Sequence, residues 1–139
     1  MKKAKLFIAV LLGISLIGCS SIDSNNIDSD VSAPSSISGK TFEFTISSGS
    51  GFASSGTWTV VVSNTDNEYA TTSDAPNPGT SAGLFSYTAN GNKATVSFFD
   101  SGWGRGHLYL IFTSPTSGTY TADSMSNSSA NQSGSFVEQ

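Results

Sequence analysis

Residues 86–96 read "SYTANGNKATV", and this stretch decides the fold. Tyr87 and Ala89 alternate with Thr88 on one side of Asn90-Gly91, and Ala94 and Val96 alternate with Thr95 on the other. Alternation with period two marks a strand with one buried face, and Asn-Gly between two such runs marks a hairpin, here with the positive backbone angles of a type I′ turn. The same pattern recurs along the chain. "KTFEFTI" aligns Phe42, Phe44 and Ile46; "TWTVVVS" aligns Trp58, Val60 and Val62; "EYATT" is shorter, around Tyr69; "GLFSYTA" aligns Phe85 with Tyr87. "KATVSFFD" continues to Phe98, "HLYLIF" aligns Leu108, Leu110 and Phe112, "GTYTAD" offers Tyr120 and Ala122, and "GSFVE" offers Phe136. No segment carries an apolar stripe of period 3.6, so the chain after residue 38 reads as an all-β, antiparallel, up-and-down meander of eight strands.

Eight strands joined by short turns suit a closed or nearly closed barrel, with a two-sheet β-sandwich as the alternative. The connections are "NTDNE" (Asn64 to Glu68), "SPTSG" (Ser114 to Gly118), "DSMSNSSANQSG" near the end, and "SDAPNPGTSAG" (Ser73 to Gly83), the longest internal one. The oxygen-rich "NTDNE" lacks the rest of a calcium loop and reads as a polar turn. Glycine, one residue, then an aromatic recurs in "SGTWTV", "AGLFSY", "SGTYTA" and "SGSFVE". Its spacing is irregular, so it reads as strands that begin at a glycine and drop a ring into the core, not as repeated ligand subsites. Ten aromatic rings fall on the inward parity (Phe42, Phe44, Trp58, Tyr69, Phe85, Tyr87, Phe98, Phe112, Tyr120 and Phe136). At roughly 150–250 Å² apiece they predict a filled barrel with a shallow mouth. With Trp58 just after a glycine near its start, the domain loosely resembles the calycin-type barrels (lipocalins, avidins and small periplasmic inhibitors), a resemblance of fold alone.

The first residues belong to export. "MKKAK" is basic, and Leu6 to Gly18 is an unbroken apolar run. Thirteen residues rise only about 20 Å as a helix, short of a bilayer's ~30 Å core, so residues 1–18 read as a cleaved signal peptide. Leu16-Ile17-Gly18-Cys19 resembles the lipobox of bacterial lipoproteins, in which cleavage precedes the cysteine and the cysteine is lipidated. The resemblance implies acylation of Cys19, the chain's only cysteine, and Ser20 after it resembles the outer-membrane sorting pattern. Residues 19–38, Ser/Asn/Asp-rich and without periodicity, read as a flexible tether, and 39–139 as the barrel domain. Loss of the signal removes Lys2, Lys3 and Lys5 and leaves Lys40, Lys93 and Arg105 against ten carboxylates, a net charge of −7. Such a surface repels nucleic acid and anionic lipid, so membrane attachment would be through the lipid alone.

Chemistry is sparse. With one histidine and one lipidated cysteine there is no zinc set, and no cofactor or metal is expected. His107 is the only general base of its kind, with Asp100 and Ser101 near it in sequence, and no G-x-S-x-G elbow occurs. Asp100 and Asp123 fall near strand ends, where a carboxylate pair for glycoside cleavage would have to converge. "FFDSGWGRGHLYLIF" (Phe98 to Phe112) holds Trp103, Arg105 and His107 at odd spacing, which points all three to one side if the strands run on into the turn. Trp103 suits either a stacking site or a lid on the core. On the outer face Phe99, Tyr109 and Ile111 would form a contiguous apolar patch, with Val61 apart. The expected function is non-catalytic binding of a small ligand or a protein partner by a lipid-anchored envelope domain, with Trp103, Arg105, His107, Phe99, Tyr109 and Ile111 as candidate contacts. The alternatives are an envelope enzyme or enzyme inhibitor using the His107/Trp103 loop, or a purely structural envelope protein. Substituting Cys19→Ser is expected to abolish both signal cleavage and membrane attachment; fractionation that finds a processed, soluble product would overturn the lipoprotein reading.

Overall fold

A computed structural model describes residues 31–74 and 79–139. The signal peptide, the lipobox and the first part of the tether therefore lie outside the described residues. Eight antiparallel strands are present: β1 (Thr41–Ser50), β2 (Gly56–Val62), β3 (Glu68–Ser73), β4 (Thr80–Asn90), β5 (Lys93–Asp100), β6 (Gly104–Ser114), β7 (Ser117–Ser124) and β8 (Asn131–Glu138). Each pairs with its neighbour in sequence, and β8 returns to β1, so the sheet is a closed up-and-down barrel. Closure leaves no free sheet edge. The alternating residues face inward as the pattern requires: Phe42, Phe44, Val62, Leu110, Phe112, Tyr120 and Phe136 are all buried.

Several strands are longer than their apolar pattern. β4 begins at Thr80, inside the Ser/Gly-rich stretch read as loop, because Ala70 to Thr72 of β3 continue the ladder with Thr80 to Ala82. The first hairpin is also shifted by one residue. Asn90 pairs with Lys93, so Gly91 and Asn92 occupy the turn. Gly91 has φ 58° and no described non-glycine residue has positive φ. Positive φ at the first central position alone is the type II′ pattern, not I′. The displaced Asn92 has its own use: its side-chain amide donates to the Phe112 carbonyl at 3.2 Å, and its carbonyl accepts from Phe112 N at 2.8 Å.

The glycine–aromatic echo has a structural cause. In the β7–β8 pair Gly118 lies opposite Phe136 and Tyr120 opposite Gly134, so each ring covers the glycine of the other strand. A Cβ on Gly134 would stand 1.9 Å from the Thr45 carbonyl oxygen and 2.9 Å from the Tyr120 ring. A Cβ on Gly118 would meet the Ile111 carbonyl oxygen at 2.0 Å and the Phe136 ring at 2.9 Å. Phe98 covers Gly106 across β5–β6 in the same way.

The two ends of the barrel differ. One carries the connections 63–67, 91–92 and 115–116 together with both ends of the described domain. There residues 31–38, expected to be free tether, pack against the barrel: Ile37 is buried, and Val31 and Ala33 lie on the core cluster. Ala33 N donates to Gly91 O at 2.8 Å and the Tyr87 hydroxyl donates to Pro34 O at 2.7 Å. The scattered aliphatics are what convert this segment into a plug. The other end, which we call the mouth, carries the connections 51–55, 101–103 and 125–130 and the strand ends at Ser73 and Thr80. Gly134→Ala is expected to lower unfolding free energy by about 1–3 kcal/mol, the usual penalty for overpacking a closed site; urea denaturation of the variant measures it, and an unchanged midpoint would refute the glycine–ring account.

Candidate functional site

The interior is segregated, and this creates the site. On the β1, β2, β7 and β8 side the aromatic rings pack on one another: Phe44 stacks on Trp58 at 4.3 Å and meets Tyr120 edge-on at 5.1 Å, while Phe112 meets Phe136 at 5.0 Å. The inward positions of β3 to β5 near the mouth carry Thr71, Ser73, Ser81, Gly83 and Asp100 instead. These small and polar residues do not reach across to the rings. The result is a cavity of about 90 Å³ running from Ile37 at the closed end to Phe52, Ala53 and Trp103 at the mouth. The interior is thus not filled: the rings of β1, β2, β7 and β8 pack on one another, while the inward positions of β3 to β5 nearest the mouth carry short side chains.

Among the described residues four polar side chains are buried, Thr71, Asp100, Ser124 and Gln132, and each lies toward the mouth. Thr71 Oγ1 lies 2.8 Å from Ser81 Oγ, clasping the strands on either side of 74–79. Ser124 Oγ accepts from Ser126 N and Asn127 N, both at 3.1 Å, and turns the chain into 125–130. Gln132 accepts from the Tyr120 hydroxyl at 2.9 Å and donates to Ala53 O at 2.9 Å, holding 51–55. Asp100, only 3 % exposed, does the most. Its Oδ1 accepts from Gly102 N at 2.7 Å and Trp103 N at 2.9 Å, an Asx turn that folds 101–103. Its Oδ2 accepts from the Tyr69 hydroxyl at 2.7 Å and Ser81 Oγ at 2.9 Å. Gly83 stands between Tyr69 and Asp100 in the ladder, and its lack of a side chain lets the phenol reach the carboxylate. Burial, with the hydrogen bond and charge of Asp100, pushes the Tyr69 phenol far above its ordinary value. Burial also raises Tyr120 despite the opposing hydrogen bond from Trp58, and raises Tyr87 to about 12. All three stay protonated at neutral pH and act as donors.

The GWGRG turn divides the residues grouped there. Gly104 has φ 77°, which interrupts the alternation, so Trp103 turns inward while Arg105 and His107 face out. Trp103 meets Phe52 edge-to-face at 5.0 Å, and both line the mouth of the cavity. Arg105 lies over the Phe99 ring at 5.2 Å on the outer wall. His107 Nδ1 is 3.1 Å from Asp123 Oδ1, and the Tyr109 hydroxyl donates to Asp123 Oδ2 at 3.3 Å. Asp100 points into the barrel and Asp123 away from it, so the two carboxylates do not converge and His107 does not meet Asp100. Ser97 lies opposite His107 in the ladder, with no hydrogen bond between their side chains. No cluster of three metal-binding side chains occurs among the described residues.

The outer apolar patch is also rearranged. The β5–β6 register sets Phe99 opposite Arg105 and Ile111 opposite Lys93, so the Ser97–His107 row separates Phe99 from Tyr109 and Ile111. Phe99 instead joins Leu84, its partner on β4, and Met125, in a shallow groove beside Arg105. Leu84 and Met125 are the contacts that sequence reasoning missed: Leu84 showed outward parity, but Met125 lies in a loop with no periodicity. Thr71, Ser124 and Gln132 were equally unremarked, although polar residues at inward positions of a barrel were the signal to follow. Comparison with family models, curated proteins and solved structures finds no match to this chain. Asp100→Ala is expected to destabilise the domain by roughly 3 kcal/mol, since it strands buried donors, and to free 101–103; thermal unfolding together with hydrogen exchange at Gly102 and Trp103 measures both.

Proposed function

We propose that this chain is a lipid-anchored lipoprotein of the bacterial envelope whose barrel binds a small ligand in its interior and performs no catalysis. The observation that carries the reading is the cavity of about 90 Å³ that ends at the Phe52–Trp103 pair. An apolar concave site with a few convergent polar groups is the common form of a small-molecule pocket. The position of the mouth agrees with an anchor at Cys19. The segment leading from the anchor docks on the closed end, and the twelve residues from Cys19 to Val31 span at most about 40 Å when fully extended. The barrel would then stand close to the membrane with its mouth turned away.

 Neither side chain of the His107–Asp123 pair lines the cavity, and every oxygen of Asp100 is already engaged twice. That arrangement favours holding a ligand over transforming one.

A second reading, recognition of a protein partner, rests on the groove of Leu84, Phe99 and Met125, which are 53 %, 56 % and 66 % exposed. One pair of variants separates the two. Val60 lines the cavity, so Val60→Phe should fill it and abolish the response of the tryptophan indole NMR signals to a small neutral aromatic such as benzene. Phe99→Ser, on the outer wall, should leave that response intact. Loss of envelope function in Phe99→Ser but not in Val60→Phe would favour the partner reading instead.

A further inference from the structure

The charge and the walls of the cavity specify what it takes. Rings of Phe44, Phe52, Trp58, Tyr69, Phe98 and Trp103 line it, and they converge on a space that Asp100 also faces. Asp100 is the only carboxylate in the lining, and no lysine, arginine or histidine lines it among the described residues. Neither ion pair among the described residues includes Asp100; these are Lys40–Glu138 and His107–Asp123. Its four partners are two backbone N–H groups and two hydroxyls, and this is the acceptor-only pattern of an ionised carboxylate. The cavity therefore holds a buried carboxylate without a counter-charge, in a lining rich in aromatic rings.

We propose that the cavity binds a methylated ammonium group, of the size of choline. The inference rests on the ligand-binding reading above and narrows it to one chemical class. A primary ammonium carries three donors and needs free acceptors, and Asp100 has none to spare because each oxygen already accepts two hydrogen bonds. A quaternary ammonium donates no hydrogen bond. It is held by aromatic rings and a nearby negative charge, and the lining of this cavity combines such rings with Asp100. An anionic ligand would meet Asp100 with no cation to offset it. The space of about 90 Å³ is well above the roughly 10–15 Å³ that a single water needs, so a group larger than water can enter. The net charge of −7 on the chain after signal removal further favours a cation approaching the mouth.

The test compares choline with its neutral carbon isostere, 3,3-dimethylbutan-1-ol, on the full-length chain in a non-ionic detergent. Both tryptophans of the chain line the cavity, so their indole signals report occupancy directly. Choline is expected to bind at least about tenfold more tightly than the isostere, the scale of one buried charge with cation–π contacts. Asp100→Asn, whose amide oxygen can still accept from Gly102 and Trp103, should bring the choline-to-isostere affinity ratio down toward one. Should that variant fail to fold, the choline-to-isostere ratio on the unaltered chain decides alone. Phosphocholine distinguishes the source of the group: weaker binding than choline points to a free small molecule, and equal or tighter binding points to a lipid headgroup. Equal or tighter binding of the isostere would overturn the cation assignment and leave the cavity a ligand site. If choline, the isostere and benzene all leave both indole signals unmoved, the ligand-binding reading falls with it.

Discussion

Closure of the barrel depends on how closely β8 can lie between β1 and β7. Gly134 is the tightest point, with the Thr45 carbonyl on one side and the Tyr120 ring over it. Gly118 and Phe136 repeat the arrangement one step along the same pair of strands. The absent side chains let two large rings lie down over the sheet, and those rings then pack against Phe44 and Trp58 from the opposite end of the sequence. Backbone approach and core packing are thus one constraint. A methyl group at the seam would force apart the strands that close the sheet and also displace the rings that fill it.

The seam has a consequence for the rest of the interior. With Phe44, Trp58, Tyr120 and Phe136 packed together on β1, β2, β7 and β8, the mouth-side inward positions of β3 to β5 are left to short polar residues, and burial obliges each of these to find a partner. They find it in the connections at the mouth. Asp100 accepts four hydrogen bonds and shapes the 101–103 turn, while Gln132 ties 51–55 to the barrel wall. Phe52 and Trp103 are carried by these two anchored loops, and they meet because both loops are held from inside. The cavity and its aromatic cover are therefore products of the same polar positions.

The two ends of the barrel are built differently. Short turns, the C-terminal strand end and the docked segment with Ile37 close one end, where Lys40 also pairs with Glu138. The longer connections lie at the other end, with the polar anchors beneath them. Loops on a rigid scaffold are where binding residues are usually presented. The single surface histidine belongs to neither end's interior; its pairing with Asp123 braces the outer wall across β6 and β7.

By itself the sequence determined the eight strands, their antiparallel order and the inward set, because period-two alternation and glycine-bearing turns are local signals. The positions of strand ends were less legible: Thr80 to Ala82 carry no apolar pattern and join β4 only because β3 offers a ladder. Tertiary structure alone decided that the barrel is partly hollow, since the number of rings predicts filling but not how they pack on one another. It decided the sides of Trp103 and His107 through one positive φ at Gly104, which breaks the parity on which sequence reasoning relied. It separated Phe99 from Tyr109 through a register that no single strand contains. And it gave Asp100 its place, because four partners from β3, β4 and the 101–103 turn meet that carboxylate only once the sheet has curled and closed.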